Sequence, residues 1–436
     1  MKLLSDWLVH LESLHPKGQD GIDLGLARVA RVKAQLQQRQ ICPVITVGGT
    51  NGKGSTCATL EAIYRAAGYR VGCYTSPHLL VYNERVRVDG VPAGDAALCA
   101  AFARVEAARQ AAGNVALTYF EFGTLAAWEV FAAAGMQVIV LEVGLGGRLD
   151  AVNVYDPDVA VVTGIALDHT DWLGATREAI GFEKAGIFRS GKPAICADPQ
   201  PPQTLLDHAA AIGARLALIN RDFGFAGDDR GTWSFWNRAG QARDALPPPV
   251  FPGAHQFGNA AAVLAVLDAL QERLPVAAPA IQRGLRAVCL AGRFQRVHER
   301  PAIVLDVAHN PQAVNCLAEN LAAMGAFRRT IAVVGMLADK DIAGALQALC
   351  GKIDVWQLAS LGVPRGAASD VLAGFVETGG LGGVTACFSS PAEAFRSAVG
   401  LAGEDDRIVV FGSFHTVAEV LREITRDSAS AFCQPA

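Results

Sequence analysis

Apolar residues fall at Leu3, Leu4, Trp7, Leu8, Leu11 and Leu14, with Asp6 and Glu12 between them. That spacing predicts an amphipathic helix and differs from an export signal, whose central apolar run would be uninterrupted. After a second helical stretch, "ICPVITV" predicts a strand, the loop "GGTNGKGST" follows, and Ser55 to Ala67 reads as a helix stopped by Gly68. "RVGCYTS" predicts a strand, "PHLLVYNERVRVDG" an irregular stretch, and alanine-rich helices come next. "MQVIVLEVG" and "PDVAVVTGI" are almost wholly apolar, as strands covered on both faces must be. Strands alternating with helices predict a parallel α/β sheet, in which ligands gather at the carboxyl ends of strands.

From Arg221 to Gly253 the texture changes. "DDRGTWSFWN" predicts a turn and a short antiparallel strand, and "LPPPVFPG" is too rich in proline for a helix. Helices resume at Asn259 and run with interruptions to about Val288. The alternation then restarts: "AIVLDVA", "TIAVVGM", "DVWQLAS", "GVTACFS" and "RIVVFGS" are predicted strands separated by helices. A boundary near Leu290 to Val297 divides the chain into a larger parallel-sheet α/β domain, 1–292, and a smaller Rossmann-like α/β domain, 293–436. The tail after Arg426 is expected to fray.

Composition narrows the class. A chain of 436 residues exceeds what one core usually serves, and 51% hydrophobic against 18% charged residues excludes a disordered protein. A net charge of -4 gives no broad attraction to nucleic acid or an acidic membrane, so anionic ligands must be met by local groups. No apolar run is long enough to span a bilayer. The ten cysteines have no metal-finger spacing and read as reduced, mostly buried thiols of a cytoplasmic protein.

"VITVGGTNGKGST" departs from the usual phosphate loop. Gly54 separates Lys53 from Ser55, and Val47 stands where the first glycine would be. A strand running through glycines into a helix N-terminus still presents backbone N–H groups and a partial positive charge to an anion. Lys53 would offset phosphate charge, and the Ser55 hydroxyl suits magnesium. A glycine turn that only connects two elements is the plain alternative. Glu142 ends a buried strand, and His169 follows another in "ALDHTDW", so both fall where a cation beside the loop would sit. Singly, Glu142 could cap a helix and His169 could be a core histidine.

The loop, with "TSPHL", "ERVRVDG", "FEFGTLAAW", "LEVGLGGRLDAVN", "ALDHTDWLG", "EKAGIF", "LAGRFQ", "DVAHNP" and "GSFHTVAEV", resembles the folate branch of the Mur ligase superfamily, in order and over nearly the full length. The resemblance implies ATP-dependent amide formation: a carboxylate of dihydropteroate or of a reduced folate takes the γ-phosphoryl group, and the amine of L-glutamate attacks the acyl phosphate. It implies ATP contacts at Thr50, Asn51, Gly52, Lys53, Gly54, Ser55, Asn259, Arg293 and Asp306. It implies magnesium, two ions, at Ser55, Ser76, Glu142, His169 and Lys184, the last as a carbamate, and a monovalent cation such as potassium. Lys53, Lys184 and His309 are implied in catalysis, and His309 and Ser413 in holding glutamate. Dihydropteroate is implied to meet Ile22, Asp23, Leu24, Phe120, Glu121, Phe122, Gly123, Arg148, Leu149 and Asp150.

By spacing alone, Lys184 would be a solvated lysine and Phe120 and Phe122 helix core, while an interdomain salt bridge would also account for Arg293. The resemblance further implies small-molecule substrates, a monomer, and no nucleic-acid or membrane partner. Motion is expected at Leu290 to Val297, a candidate hinge. A monofunctional folylpolyglutamate synthase and another Mur-type amino-acid ligase are the alternatives within the superfamily. A cell-wall Mur ligase is disfavoured because only two helices and a strand precede the loop. A phosphate-loop kinase or GTPase gives no reason for the second α/β domain. A nonenzymatic nucleotide-binding protein gives none for keeping Lys53, Glu142 and His169 together.

Overall fold

The computed structural model describes residues 3–16, 21–227, 231–240 and 242–427. Two compact units emerge, one of Met1–Ala166, Leu173–Val250 and His255–Val288, the other of Leu167–Trp172, Phe251–Ala254 and Cys289–Ala436. The chain therefore leaves the first unit briefly at 167–172, and this excursion carries His169.

The first unit is built on eight strands, β1 (Val44–Gly48), β2 (Val71–Tyr74), β3 (Val86–Val88), β4 (Val91–Pro92), β5 (Val138–Glu142), β6 (Val159–Val162), β7 (Pro193–Cys196) and β8 (Arg215–Leu218). Their order is β4-β3-β2-β5-β1-β6-β7-β8, with β1 central and parallel to β5 and β6. Val44 joins the core on one face, Ile45 and Val47 the core on the other, so β1 is covered on both faces and is apolar apart from the buried Thr46. Helix Tyr119–Ala134 sends Phe122, Leu125 and Phe131 into the first core. Helix Lys53–Ala66 sends Cys57, Leu60, Ile63 and Tyr64 into the second. Each such side chain contributes about 1.5–3 kcal/mol when fully buried. A separate antiparallel sheet, β9 (Phe223–Gly227), β10 (Trp233–Asn237) and β11 (Ala242–Leu246), is ordered β11-β10-β9 and buries Trp233 and Phe235.

The second unit holds β12 (Gln295–Glu299), β13 (Ala302–Leu305), β14 (Thr330–Val334), β15 (Val355–Ala359), β16 (Val384–Phe388) and β17 (Arg407–Phe411). They are ordered β12-β13-β17-β14-β15-β16, parallel except for β12. Val334, Trp356, Leu358, Val409 and Phe411 anchor its core. The two parallel-sheet units agree with the α/β class expected from the alternating pattern.

Several local expectations are corrected. "ERVRVDG" is not irregular: β3 and β4 form a hairpin, with Asp89 at φ 52° and Gly90 at φ 77° making the tight turn that Asp-Gly favours. The stretch after Arg221 yields three antiparallel strands rather than one. Gln295 to Val297, the end of the candidate hinge, lies in β12, where Gln295 and Arg296 pair with β13, so that end of the segment is held by a ladder. β7 and β8 are too short and too mixed to stand out in the sequence. The loop helix starts at Lys53, two residues early, because Gly52 at φ 89° already serves as its cap. Among the described residues Cys57, Cys73, Cys99 and Cys196 are buried free thiols, whereas the free Cys350 and Cys387 are exposed. The residues expected to fray after Arg426 lie, from 428 on, outside the described residues.

Candidate active site

In the first unit the glycine loop leaves the carboxyl end of β1 under tight steric control. Gly49 has φ 138°, and a Cβ there would come 1.8 Å from Thr163 Oγ1. Gly52 has φ 89°, and a Cβ there would come 2.8 Å from the Asn259 amide, which places Asn259 directly against the loop. Neither position admits another residue without displacement. The loop is tied down further: Thr50 Oγ1 donates to the Ala166 carbonyl and accepts from its N–H, each at 3.1 Å. Thr163 Oγ1 donates to the Asn51 carbonyl at 2.7 Å.

Two lysines converge on this backbone. Lys53 Nζ donates to the carbonyls of Gly49 and Thr50, both at 3.0 Å, and buried Lys184 Nζ donates to the same Gly49 carbonyl at 2.8 Å. Two ammonium groups on one oxygen repel each other, and an anion seated beside them would relieve that repulsion. Lys184 is therefore part of the loop's charge environment and not a solvated lysine.

Glu142, the last residue of β5, pairs in register with Val47 just before the loop and is buried. Its Oε2 accepts from the Ser76 N–H at 3.1 Å, so the ends of β2 and β5 meet there. Ser55 is buried in the first turn of the loop helix. Among the described residues no group of three or more His, Cys, Asp or Glu could hold a metal alone. A single carboxylate with two hydroxyls at strand and helix ends instead fits a hard cation that keeps oxygen ligands from a phosphate and water, as magnesium does.

Asp150 is buried beyond this centre, its Oδ2 accepting from Leu145 N at 2.8 Å and its Oδ1 from Val152 N at 3.0 Å. Burial pushes its carboxyl up to about 7, even though those N–H groups and the charge of Lys53 pull the other way. Leu149 is close by, its carbonyl accepting from Gly25 N at 3.2 Å, which joins the 148–150 segment to the loop of Ile22, Asp23 and Leu24. Phe120 stacks on Tyr74 at 5.8 Å and stays half-buried, whereas Phe122 is fully buried against Phe102. Glu121 accepts from Thr118 N at 2.8 Å as a helix cap, and Gly123 lets the Tyr82 hydroxyl approach the helix. Arg148 is occupied by Glu183 at 2.7 Å and lies over Phe182.

The second unit assembles a different cluster. Asp168 accepts from Lys340 Nζ at 2.6 Å and from Asn310 Nδ2 at 3.3 Å, with His309 Nε2 at 3.5 Å. Lys340 Nζ also lies 3.3 Å from His169 Nε2. Burial alone would push the Asp168 carboxyl up, but its hydrogen bond with His309 and the charges of His169 and Lys340 hold it far below the carboxylate range. Asn310 caps helix Pro311–Ala323 through Ala313 N at 2.9 Å, and its neighbour His309 has Nδ1 at 2.9 Å from the Val307 carbonyl. Asp306, half-buried after β13, accepts from Phe294 N and Ala308 N, both at 2.8 Å, which fixes Arg293 one residue before Phe294. Arg293 lies over the Phe414 ring, and Ser413 accepts from Thr416 N at 3.0 Å at the start of helix Phe414–Asp427.

The structure thus gathers Thr50 to Ser55, Ser76, Glu142, Asp150, Lys184 and Asn259 in the first unit, and His169, Arg293, Asp306, His309 and Ser413 in the second. Asp168 and Lys340 escaped the sequence reading. The first was visible as the acid next to His169, whereas Lys340 in "LADKD" carries no local signal apart from its charge.

The family models of the Mur ligase middle domain and the Mur ligase glutamate ligase domain match residues 47–200 and 292–414. The dihydrofolate synthase/folylpolyglutamate synthase of Escherichia coli K12 is 48% identical over 422 residues, covering 97% of this chain and 95% of that protein. The chain belongs to this family of Mur ligases. Its structure superposes with TM-score 0.90 on Escherichia coli FolC in complex with DHPP and ADP, at 47% identity and 98% coverage of both chains. It superposes with TM-score 0.88 on a bifunctional folylpolyglutamate synthase/dihydrofolate synthase with Mn, AMPPNP and L-glutamate bound, at 46% identity, covering 97% of this chain and 98% of the other.

Proposed function

We propose that this Mur ligase adds L-glutamate to dihydropteroate, giving dihydrofolate, and to reduced folates, giving polyglutamates, with ATP driving the amide bond. The observation that carries this reading is the glycine loop running into a helix N-terminus with Lys53 Nζ folded onto its Gly49 carbonyl, and with buried Ser55, Glu142 and Lys184 in the same unit. Relatives bind ADP, DHPP, Mn, AMPPNP and L-glutamate, in line with those substrates and with a divalent ion.

In this reading the loop N–H groups, Lys53 and Ser55 hold the triphosphate, Asn259 meets the base, and Arg293 and Asp306 complete the nucleotide contacts. Ser55, Ser76, Glu142, His169 and Lys184, the last as a carbamate, would hold two magnesium ions, with a monovalent cation such as potassium as a further cofactor. Divalent ions held there would supply charge neutralisation on the phosphoryl oxygens. Lys53 counters the charge that builds during transfer to the substrate carboxylate, and His309 and Ser413 orient the glutamate whose free amine attacks the acyl phosphate. Ile22 to Leu24, Phe120 to Gly123 and Arg148 to Asp150 receive the pterin end. We assign the ATP-binding domain with the pterin site to 1–292 and the glutamate-ligase domain, which also supplies Arg293 and Asp306, to 293–436, and expect a cytoplasmic monomer.

A phosphate-release assay with ATP, magnesium and L-glutamate tests the proposal, comparing dihydropteroate with tetrahydrofolate as acceptor. Turnover with both is expected. Turnover with tetrahydrofolate alone would make the enzyme monofunctional, and none with either would reject the assignment.

A further inference from the structure

The loop of Ile22, Asp23 and Leu24 has no regular structure of its own, so its position must be imposed from outside. Arg28, in the first turn of helix Ala27–Leu36, imposes it from two sides. Its Nη1 lies 2.8 Å from Asp23 Oδ2, and its Nη2 donates to the Asp23 carbonyl. The same guanidinium reaches across to helix Tyr119–Ala134, with Nε donating to Glu121 Oε2 at 3.3 Å and Nη2 lying 3.1 Å from Oε1. Glu121 is nearly fully buried and is itself fixed by capping that helix at the Thr118 N–H. His15, also buried, adds a contact to Asp23 Oδ2 from Nε2 at 3.2 Å.

Arg28 is thus the joint between two of the three segments assigned to dihydropteroate, and Gly25 N on the Leu149 carbonyl ties in the third. Only a planar fork with five donors can serve Asp23 and Glu121 together, and a lysine cannot.

We propose that Arg28 is a positioning residue that sets selectivity for the pterin substrate, by fixing the 22–24 loop against the 120–123 helix turn. The inference rests on the assignment of those segments to dihydropteroate. It predicts an effect confined to the pterin end: Michaelis constants for dihydropteroate rise while the nucleotide site is untouched.

The test compares wild type with Arg28→Gln and Arg28→Lys, using steady-state kinetics for each substrate and equilibrium binding of dihydropteroate. In both variants the KM and Kd for dihydropteroate should rise about tenfold, with kcat and the KM for ATP changing less than about twofold. If Arg28→Gln loses the fold, the reading is taken from Arg28→Lys, which keeps the charge. An equal rise in the KM for ATP, or no change in any constant, would overturn the proposal in favour of a purely structural arginine. Wild-type enzyme that neither binds nor turns over dihydropteroate would instead reject the substrate assignment beneath it.

Discussion

Asp150 shows how one buried side chain can serve a substrate. Its carboxyl titrates near neutrality, at about 7, because burial outweighs the N–H groups and the lysine that favour its charge. A carboxylate accepts from the N–H donors of a flat heterocycle, and the protonated form loses that capacity. Lowering the pH from about 8 to about 6 should therefore raise the KM for dihydropteroate, and Asp150→Asn should abolish that slope. Asp150→Ala should harm dihydropteroate use more than tetrahydrofolate use; equal losses would show that the residue serves the common chemistry or the fold. Lys184 invites a separate measurement, since its role as a carbamate requires carbon dioxide. Activity in buffer stripped of carbon dioxide should fall and return with bicarbonate, and indifference to bicarbonate would leave Lys184 as a simple cation beside Gly49.

At the scale of elements, the loop of β1 depends on two glycines whose reasons differ. Gly52 needs both its positive φ and its bare Cα, because Asn259 occupies the space a methyl would take. Gly52→Ala should cost about 1–2 kcal/mol of stability. It should also raise the KM for ATP, read by thermal melts and steady-state kinetics; a normal KM for ATP would place the nucleotide elsewhere. Such elements were legible in the sequence wherever one strong signal dominated. The apolar runs of β1, β5, β6 and β13 announced buried parallel strands, and glycines with a lysine announced the loop. β12 was hidden because its partly polar sequence, Gln295 to Glu299, makes a sheet edge whose side chains are mostly not buried. The joint of Arg28 with Asp23 and Glu121, and that of Asp168 with Lys340, were hidden for another reason. They link residues 93 and 172 positions apart, and no local pattern encodes such a meeting.

For the whole molecule, three separate cores in two units raise the question of whether unfolding is one event. Asp406 offers a handle on the second unit alone. Burial would push its carboxyl up, but hydrogen bonds from Arg329, the Gly403 N–H and Arg328 outweigh that and hold it at about 2. A carboxyl depressed in the folded state contributes stability that is complete above its ordinary value of about 4 and lost as the pH falls toward its folded value. Arg328 is 57% exposed, so solvent screening limits the contribution to about 1 kcal/mol. Asp406→Asn should therefore lower stability at neutral pH and flatten the loss otherwise seen on acidification between about pH 4 and about pH 2. Hydrogen exchange read segment by segment should show protection falling in β13, β14 and β17, which lie next to Asp406 and its arginines, and holding in β1 and β5. Equal loss in both sheets would mean that the two units unfold as one cooperative body.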